Sequence, residues 1–574
     1  MKILSLLRTV GLLSGLFLAF IFSAAAQAPA WQTARAVAAA GAGSLVKATA
    51  IDAAGNVYLA GSFSGNLVLG NTTLTSPSNA VNVFVAKFSL VTNQFIWALR
   101  AGGIGFGDDD ATALAVNGTS VYVAGRFTSA TADFGSTTLT NQGQNNPIQG
   151  TSDIFVAKIA DVGSSGNFVW AQRAGGENAD GARALAVSGT SVYVAGDFAS
   201  STADFGITSL TNFTGSPDVF VAKLNDAGST GSFVWVKQAG GNFADYANTL
   251  VVNGASIYIA GYFLSGRIVF GPNTLINGGI YSNGFIAKLT DAGTSANFIW
   301  GQQNSGTGFD RINALAVRGA NVYAAGSFNS PVATFGSTIL TNGGGSNVFI
   351  AKLTDAGNTA TFSWAQRAGG AGSDGANALA VIGNSVYTAG SFSSPLASFG
   401  STSITTSGRS NLFLSKLTDA GNSGAFAWAQ RAGGTSTDYD VATALAVGGT
   451  SVYVAGFSTS PTVTFGPVTL TNPNFGVYFG FLASLTDLTL AAAPAAPPRE
   501  PAALFPNPAQ ASTTLRRPAG AGAAALALTD ALGRTVRRYP APAGPTDTAL
   551  DLNGLPAGLY LLRGAGPALR LTVE

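Results

Sequence analysis

Short apolar runs broken by turn residues fill most of the chain. Around residue 400, four such runs (377–382, 385–392, 411–417 and 426–431) are bounded by clusters of Gly, Asn, Asp and Ser. That is the pattern of strands of ordinary length. Gly383-Asn384 joins the first two in a tight hairpin. Thr418-Asp419-Ala420-Gly421 turns the third into the fourth. The connection between the second and third is longer. It carries a Phe399-Gly400 step and a Thr/Ser-rich stretch, which predicts an extra small hairpin.

This unit repeats. The seven Trp stand at 31, 97, 170, 235, 300, 364 and 428, spaced 66, 73, 65, 65, 64 and 64 apart. A Val/Ile-Tyr-x-Ala-Gly motif places Tyr at 58, 122, 193, 258, 323, 387 and 453. A Phe-[VIL]-[AS]-Lys motif places Lys at 87, 158, 223, 288, 352 and 416, and its last copy, Phe481-Leu482-Ala483-Ser484, lacks the Lys. A self-similar period of this length, with four short antiparallel strands per unit, predicts an all-β, seven-bladed β-propeller over 27–490. An open solenoid would want shorter coils and capping repeats. A string of separate sandwiches would make each unit a marginal domain. The first Trp strand, 30–36, precedes any complete unit, and the seventh unit stops near 485–490 without a Trp. The N-terminal strand is therefore expected to complete the last blade and close the ring, leaving no open edge.

Composition narrows the function classes. The chain holds 574 residues, 47% hydrophobic and 10% charged, with 74 Gly. It contains no Cys and no His, which excludes Ser-His-Asp and Cys-His catalysis and any zinc or copper site built on those ligands. No cofactor is expected. The body 27–498 carries 19 Lys/Arg against 22 Asp/Glu, a net of −3, so there is no electrostatic case for nucleic acid. Lys2 and Arg8, the apolar run 10–22 and Ser23-Ala-Ala-Ala26 have the layout of a secretory signal, with cleavage expected after Ala26. The run is too short for a membrane span, so no transmembrane segment is expected in the mature chain. Residues 491–502, AAAPAAPPREPA, read as an extended linker. The segment 503–574 alternates apolar and polar residues around turns, as a small Ig-like β-sandwich would.

Two resemblances follow from these motifs. Asp52-Ala-Ala-Gly-Asn56-Val-Tyr58-Leu-Ala-Gly61, the Phe-Val-Ala-Lys segments and Trp-Ala-Gln-Arg-Ala-Gly-Gly at 170–176, 364–370 and 428–434 resemble the bacterial SBBP β-propeller repeat family, over about residues 31–490. Only the first repeat keeps the longer Asp-Ala-Ala-Gly-Asn turn. The resemblance implies a fold and no activity. Leu504-Phe-Pro-Asn-Pro508, Asp530-Ala-Leu-Gly-Arg534 and Leu552-Asn-Gly-Leu-Pro-Ala-Gly-Leu-Tyr560 resemble, in order, the type A C-terminal sorting domain of the type IX secretion system. That resemblance implies export across the outer membrane through the type IX machinery, engaged by 503–574. It also implies removal of the domain, often with transfer of the cargo to a surface lipopolysaccharide.

Candidate chemistry is sparse. Asp109, Asp180, Asp245, Asp310, Asp374 and Asp440 each stand five residues before a first-strand Leu or its counterpart, with Val46 in that place in the first repeat. They fall in the loop that crosses from one repeat to the next, where an Asp holds a turn by accepting backbone N–H bonds. A ring of carboxylates for cations or ligands is the alternative, with Asp108-Asp109-Asp110 and Asp438-Tyr439-Asp440 the best cation candidates. The repeated Lys are expected to pair with acids, and the Trp to pack between blades. Loops between second and third strands share a face with the crossings, and 141–153 is the longest of them. Binding is expected on that face. The overall expectation is a secreted or cell-surface monomer, not an enzyme, that serves adhesion or binds an extracellular glycan. The alternative is a carboxylate-dependent polysaccharide hydrolase, although Glu177 is the only Glu between 27 and 498.

Overall fold

The computed structural model describes residues 28–77, 80–104, 107–145, 151–435, 438–474, 476–490, 503–516, 524–541, 547–564 and 568–574. The expected signal peptide and linker, and 146–150 of the longest loop, lie outside these residues. Two compact units divide after Ala491.

The first unit is all-β and propeller-like. Seven antiparallel sheets of four strands, each accompanied by a two-stranded hairpin, follow one another among its described residues. In the sixth sheet the strands are Asp374–Ile382, Ser385–Phe392, Asn411–Asp419 and Gly424–Ala432, in that spatial order. Its hairpin, Leu396–Phe399 with Thr402–Thr405, fills the long second-to-third connection. The first strand of every sheet packs on the first strand of the next, and Asp440–Gly448 packs on Gly43–Ile51. The succession is therefore circular.

Trp31–Val37 completes the seventh sheet. It pairs antiparallel with Phe479–Thr486, Trp31 opposite Leu485 and Ala36 opposite Phe481. The last sheet thus takes its outer strand from the start of the described chain.

The first strands begin earlier than the apolar pattern predicts, at Asp374 rather than 377. A bulge between Ala376 and Ala378 lets pairing continue to Asp374 opposite Phe392. Five of the six repeated Asp therefore open the first strand, and Asp109 immediately precedes Asp110–Asn117. The same register corrects the first repeat: Ser44, opposite Phe63, holds the Asp position, not Val46. Counting from an apolar landmark slipped by two because Thr49 replaces the first-strand Leu there. The bulge also explains the glycine of the Tyr-x-Ala-Gly motif. A Cβ on Gly326 would lie 1.9 Å from the Arg311 carbonyl oxygen, and one on Gly456 would lie 2.0 Å from that of Val441.

Neighbouring sheets are joined by a repeated polar latch. Tyr258 Oη, Lys288 Nζ and Trp300 Nε1, from three strands of the fourth sheet, reach Asp355 at the end of the fifth sheet's third strand, at 2.6, 2.6 and 3.1 Å. Lys87 meets Asp161, Lys158 Asp226, Lys223 Asp291, Lys352 Asp419 and Lys416 Asp487 in the same way. A Tyr joins at each of the six junctions. A Trp donates at five, whereas at Asp487 the Thr489 hydroxyl and amide supply further bonds. Burial alone would raise these carboxyl pKa values. The hydrogen bonds outweigh it, led by Lys416 at Asp487, which is held at about 2.

The closing junction has no such latch. Ser484 stands where Lys would, Thr33 opposite it stands where Trp would, and Leu90 stands where Asp would. Apolar packing holds it instead, with Val46, Leu59 and Phe84 of the first sheet against Val37, Tyr453 and Leu482 of the seventh.

The second unit contains an antiparallel sheet of three strands and one of four, sharing a core that includes Leu515, Leu528, Leu550, Leu562 and Leu571. No helix among the described residues is long and apolar enough to cross a membrane.

Candidate functional site

In a four-stranded antiparallel sheet, the connection from second to third strand lies at the same end as the exit of the fourth and the entry of the first. Parallel bridges such as Ser346 to Ser373 and Ser410 to Tyr439 tie these two loop sets together. They form the crossing face.

The repeated Asp build its foundation. Asp180 accepts hydrogen bonds from the amides of Gly176 (2.8 Å), Ala199 (2.9 Å) and Ser200 (3.1 Å) and from Ser200 Oγ (2.7 Å). Asp109 is met by Gly103, Thr128 and Ser129, and Asp374 by Gly370, Ser393 and Ser394. Asp245 takes both bonds of Ser265, Asp310 those of Ser330 and Asn304, and Asp440 those of Gly434, Ser458 and Asn411. All six are buried, and protein donors occupy them. Burial pushes Asp180 up to about 6 and Asp245 up to about 7, against those bonds. The proposed cation clusters do not converge. Asp109 is turned into its staple, Asp110 pairs with Lys47, and no group of three or more acidic side chains suited to a metal ion occurs among the described residues. The Trp are buried in the junctions and offer no ring face to a ligand.

One staple differs. Its third-strand neighbour is Asn in the first, fourth, fifth and sixth sheets, but Asp153 in the second and Asp218 in the third. Arg173 pairs with Asp153 at 2.8 Å. Asp218 has no cation partner among the described residues, its Oδ1 is unpartnered, and burial raises it to about 6 beside Asp245, against the Gly241 amide and Gln238. Folded values above the ordinary 3.8 mean that the folded state binds protons more tightly, so stability falls as pH rises from about 4 through 7. The latch carboxyls run the other way: their contribution is complete above 3.8 and is lost as pH falls towards about 2. The melting temperature is therefore expected to peak near pH 4–5. Asp218→Asn is expected to gain about 1 kcal/mol at pH 8, after allowance for solvent screening, and almost nothing at pH 4.5. Thermal melts of both proteins at the two pH values check this.

What varies from sheet to sheet stands above this foundation. The position after each staple and its cross-strand partner read Asp110/Arg126, Gly181/Asp197, Tyr246/Tyr262, Arg311/Ser327, Gly375/Ser391 and Val441/Phe457. In the third to fifth sheets these residues form a continuous stack. Arg183 pairs with Asp197 and lies over the Tyr246 ring at 4.9 Å. Tyr246 lies 5.0 Å from Tyr262. Arg311 lies over Tyr262 at 4.6 Å and Phe309 at 6.0 Å, and Phe309 meets Tyr281 at 4.6 Å. Beside the stack, a cavity of about 170 Å³ is lined by Lys47, Asp110, Arg126, Arg183 and Asp197. Burial raises Asp197, opposed by Arg183 and Arg126.

The exposed aromatics are confined to this face. Phe213, Phe243, Tyr281, Phe309, Tyr439 and Tyr478 are the exposed aromatic side chains among the described residues of 28–490, and each lies in a crossing or a second-to-third connection. Turns at the opposite end expose aliphatic residues, such as Val91 and Val162. The sequence reading chose this face from loop length and missed the aromatics. The signal was present: aromatic residues at slots where other repeats carry Gly, Ser or Ala, such as Phe309 against Ser373 and Ala244.

In the second unit, the blocks at 504–508, 530–534 and 552–560 lie around the two sheets, and a family model for the secretion system C-terminal sorting domain matches 503–567. These residues are a type IX secretion sorting domain. The sorting domain implies interaction with the type IX machinery and export to the cell surface or the medium. No curated protein matches the chain. Among solved structures it is similar to Sqt1 from Chaetomium thermophilum, at 10% identity over 79% of this chain and 100% of that one, TM-score 0.36. It is also similar to PorZ of Porphyromonas gingivalis, an essential surface component of the type IX secretion system. That match is at 12% identity over 95% and 100% of the two chains, TM-score 0.16. At these scores neither likeness bears on fold or function.

Proposed function

We propose that this is a secreted or surface-displayed binding protein: a signal peptide at 1–26, a seven-bladed propeller of the SBBP-like kind over 27–490, a linker at 491–502 and an Ig-like sorting sandwich at 503–574. The propeller binds extracellular glycan through its crossing face, serves adhesion, and works as a monomer without catalysis. The confinement of six exposed aromatics to one face carries this reading. Aromatic faces on a rigid scaffold offer large, preorganised contact area. Between them lie Gly, Ser, Thr and Asn rather than one apolar core, a mix suited to sugars, which present C–H faces beside hydroxyls.

A glycan array probed with the mature chain tests it. Tyr281→Ala/Phe309→Ala is expected to weaken the leading interaction about three- to tenfold or more. A variant in the Ala420–Ser423 turn at the opposite end should bind normally. Loss of binding in the turn variant alone, with both proteins folded, would place the site on the wrong face.

A further inference from the structure

Arg311 and Arg409, both exposed on the crossing face, have no carboxylate within ion-pair distance among the described residues. Each lies over aromatic rings, Arg311 over Tyr262 and Phe309, Arg409 over Tyr439 at 4.5 Å. A contact onto an aromatic ring recurs at two matched slots. Tyr281 and Arg409 each stand two residues before a third strand, and Phe309 and Tyr439 each stand one residue before a staple Asp. In the fourth and sixth sheets, these slots thus pair a second-to-third loop with a crossing through an aromatic contact. In the fifth they hold Gly345 and Ser373.

A guanidinium over a ring uses its face in the contact and keeps its N–H edge for a ligand. The rings also replace water on one side, which strengthens a charge-assisted bond formed at the edge. The acids nearby are already engaged. At the cavity beside the stack Lys47, Arg126 and Arg183 meet Asp110, Asp180 and Asp197 in equal number, with Asp110 paired to Lys47 and Asp197 to Arg183, and the acidic staples, Asp180 among them, are buried with their oxygens already occupied. A planar carboxylate fits the forked edge of Arg in two parallel bonds. Tyr281 and Phe309 offer exposed ring surface next to that edge.

We propose that Arg311, seconded by Arg409, binds the carboxylates of a uronic-acid polysaccharide whose sugar rings lie on Phe309, Tyr281 and Tyr439. This rests on the glycan reading above and specifies the class of glycan. An acidic protein would match the charge but not the separated ring platforms.

The test measures binding of the mature chain to five probes: polygalacturonate, the same polymer fully methyl-esterified, dextran sulfate, dextran and poly-glutamate. Polygalacturonate is expected to bind best. Binding should fall about tenfold or more with Arg311→Gln, fall on methyl esterification, and weaken as salt is raised. Unchanged melting of the variant will show that the loss is local. The inference is overturned if the methyl ester binds as well as the acid, if Arg311→Gln changes nothing, or if dextran sulfate or poly-glutamate binds as tightly as polygalacturonate. Dextran binding that Phe309→Ala abolishes would keep the glycan reading and overturn this one. Absence of binding to all five would count against both.

Discussion

Asp355→Ala is expected to cost about 3–5 kcal/mol, the range for removing one partner of a buried ion pair. The substitution strands the Lys288 ammonium, whose side chain is 7% exposed, and removes the acceptor of Tyr258 and Trp300. The double variant Asp355→Leu/Lys288→Ser should cost less than the single one, because it removes both charges and reproduces what Leu90 and Ser484 already provide at the closing junction. Urea unfolding of the three proteins checks the order. A double variant less stable than the single one would show that the latch contributes net attraction beyond avoiding an unpaired charge.

Deleting 28–38 is expected to have the larger effect. It removes Trp31–Val37, exposing the edge of Phe479–Thr486 and the apolar packing around Phe465. A free edge beside exposed apolar surface recruits other chains, so the truncated protein should associate and lose its cooperative melt. A synthetic peptide of residues 28–39 should restore both monomer and melt. Trp31→Ala alone should cost about 3–5 kcal/mol. A truncated protein that stays monomeric and melts like the intact chain would contradict closure by this strand.

Much of the architecture was legible because repetition multiplies weak signals. Seven Trp, seven Tyr-x-Ala-Gly motifs and an orphan Trp strand at the start contain the sheet count and the pairing of Trp31–Val37 with Phe479–Thr486. The latch was half legible. The Lys were singled out, but their partners three residues further along the motif were not. The pattern of losses encodes the pairing: the first repeat lacks the Asp, at Leu90, and the last lacks the Lys, at Ser484. That is what a bond from each sheet to the next leaves at the ends of the series. The bulge was hidden, because a two-for-one register leaves no mark in apolar spacing, and this shortened the first strands, whereas Val46 was misplaced because Thr49 replaces the landmark Leu. The candidate site was least legible. The stack from Arg183 to Phe309 joins residues of three sheets that become neighbours only in the ring. Repeated residues drew attention first, yet the six repeated Asp serve the scaffold, and the residues free to meet a ligand are those that break the repeat.

Hydroxyl-radical footprinting of the mature chain, with and without the polysaccharide that leads the array, tests the binding face most directly. Phe213, Phe243, Tyr281, Phe309, Tyr439 and Tyr478 are exposed and report on one face, whereas Val91 and Val162 report on the other. The account predicts protection at a contiguous subset of the six aromatics that includes Tyr281 and Phe309, with labelling of Val91 and Val162 unchanged. Protection of Val91 and Val162 while all six aromatics remain fully labelled would contradict it.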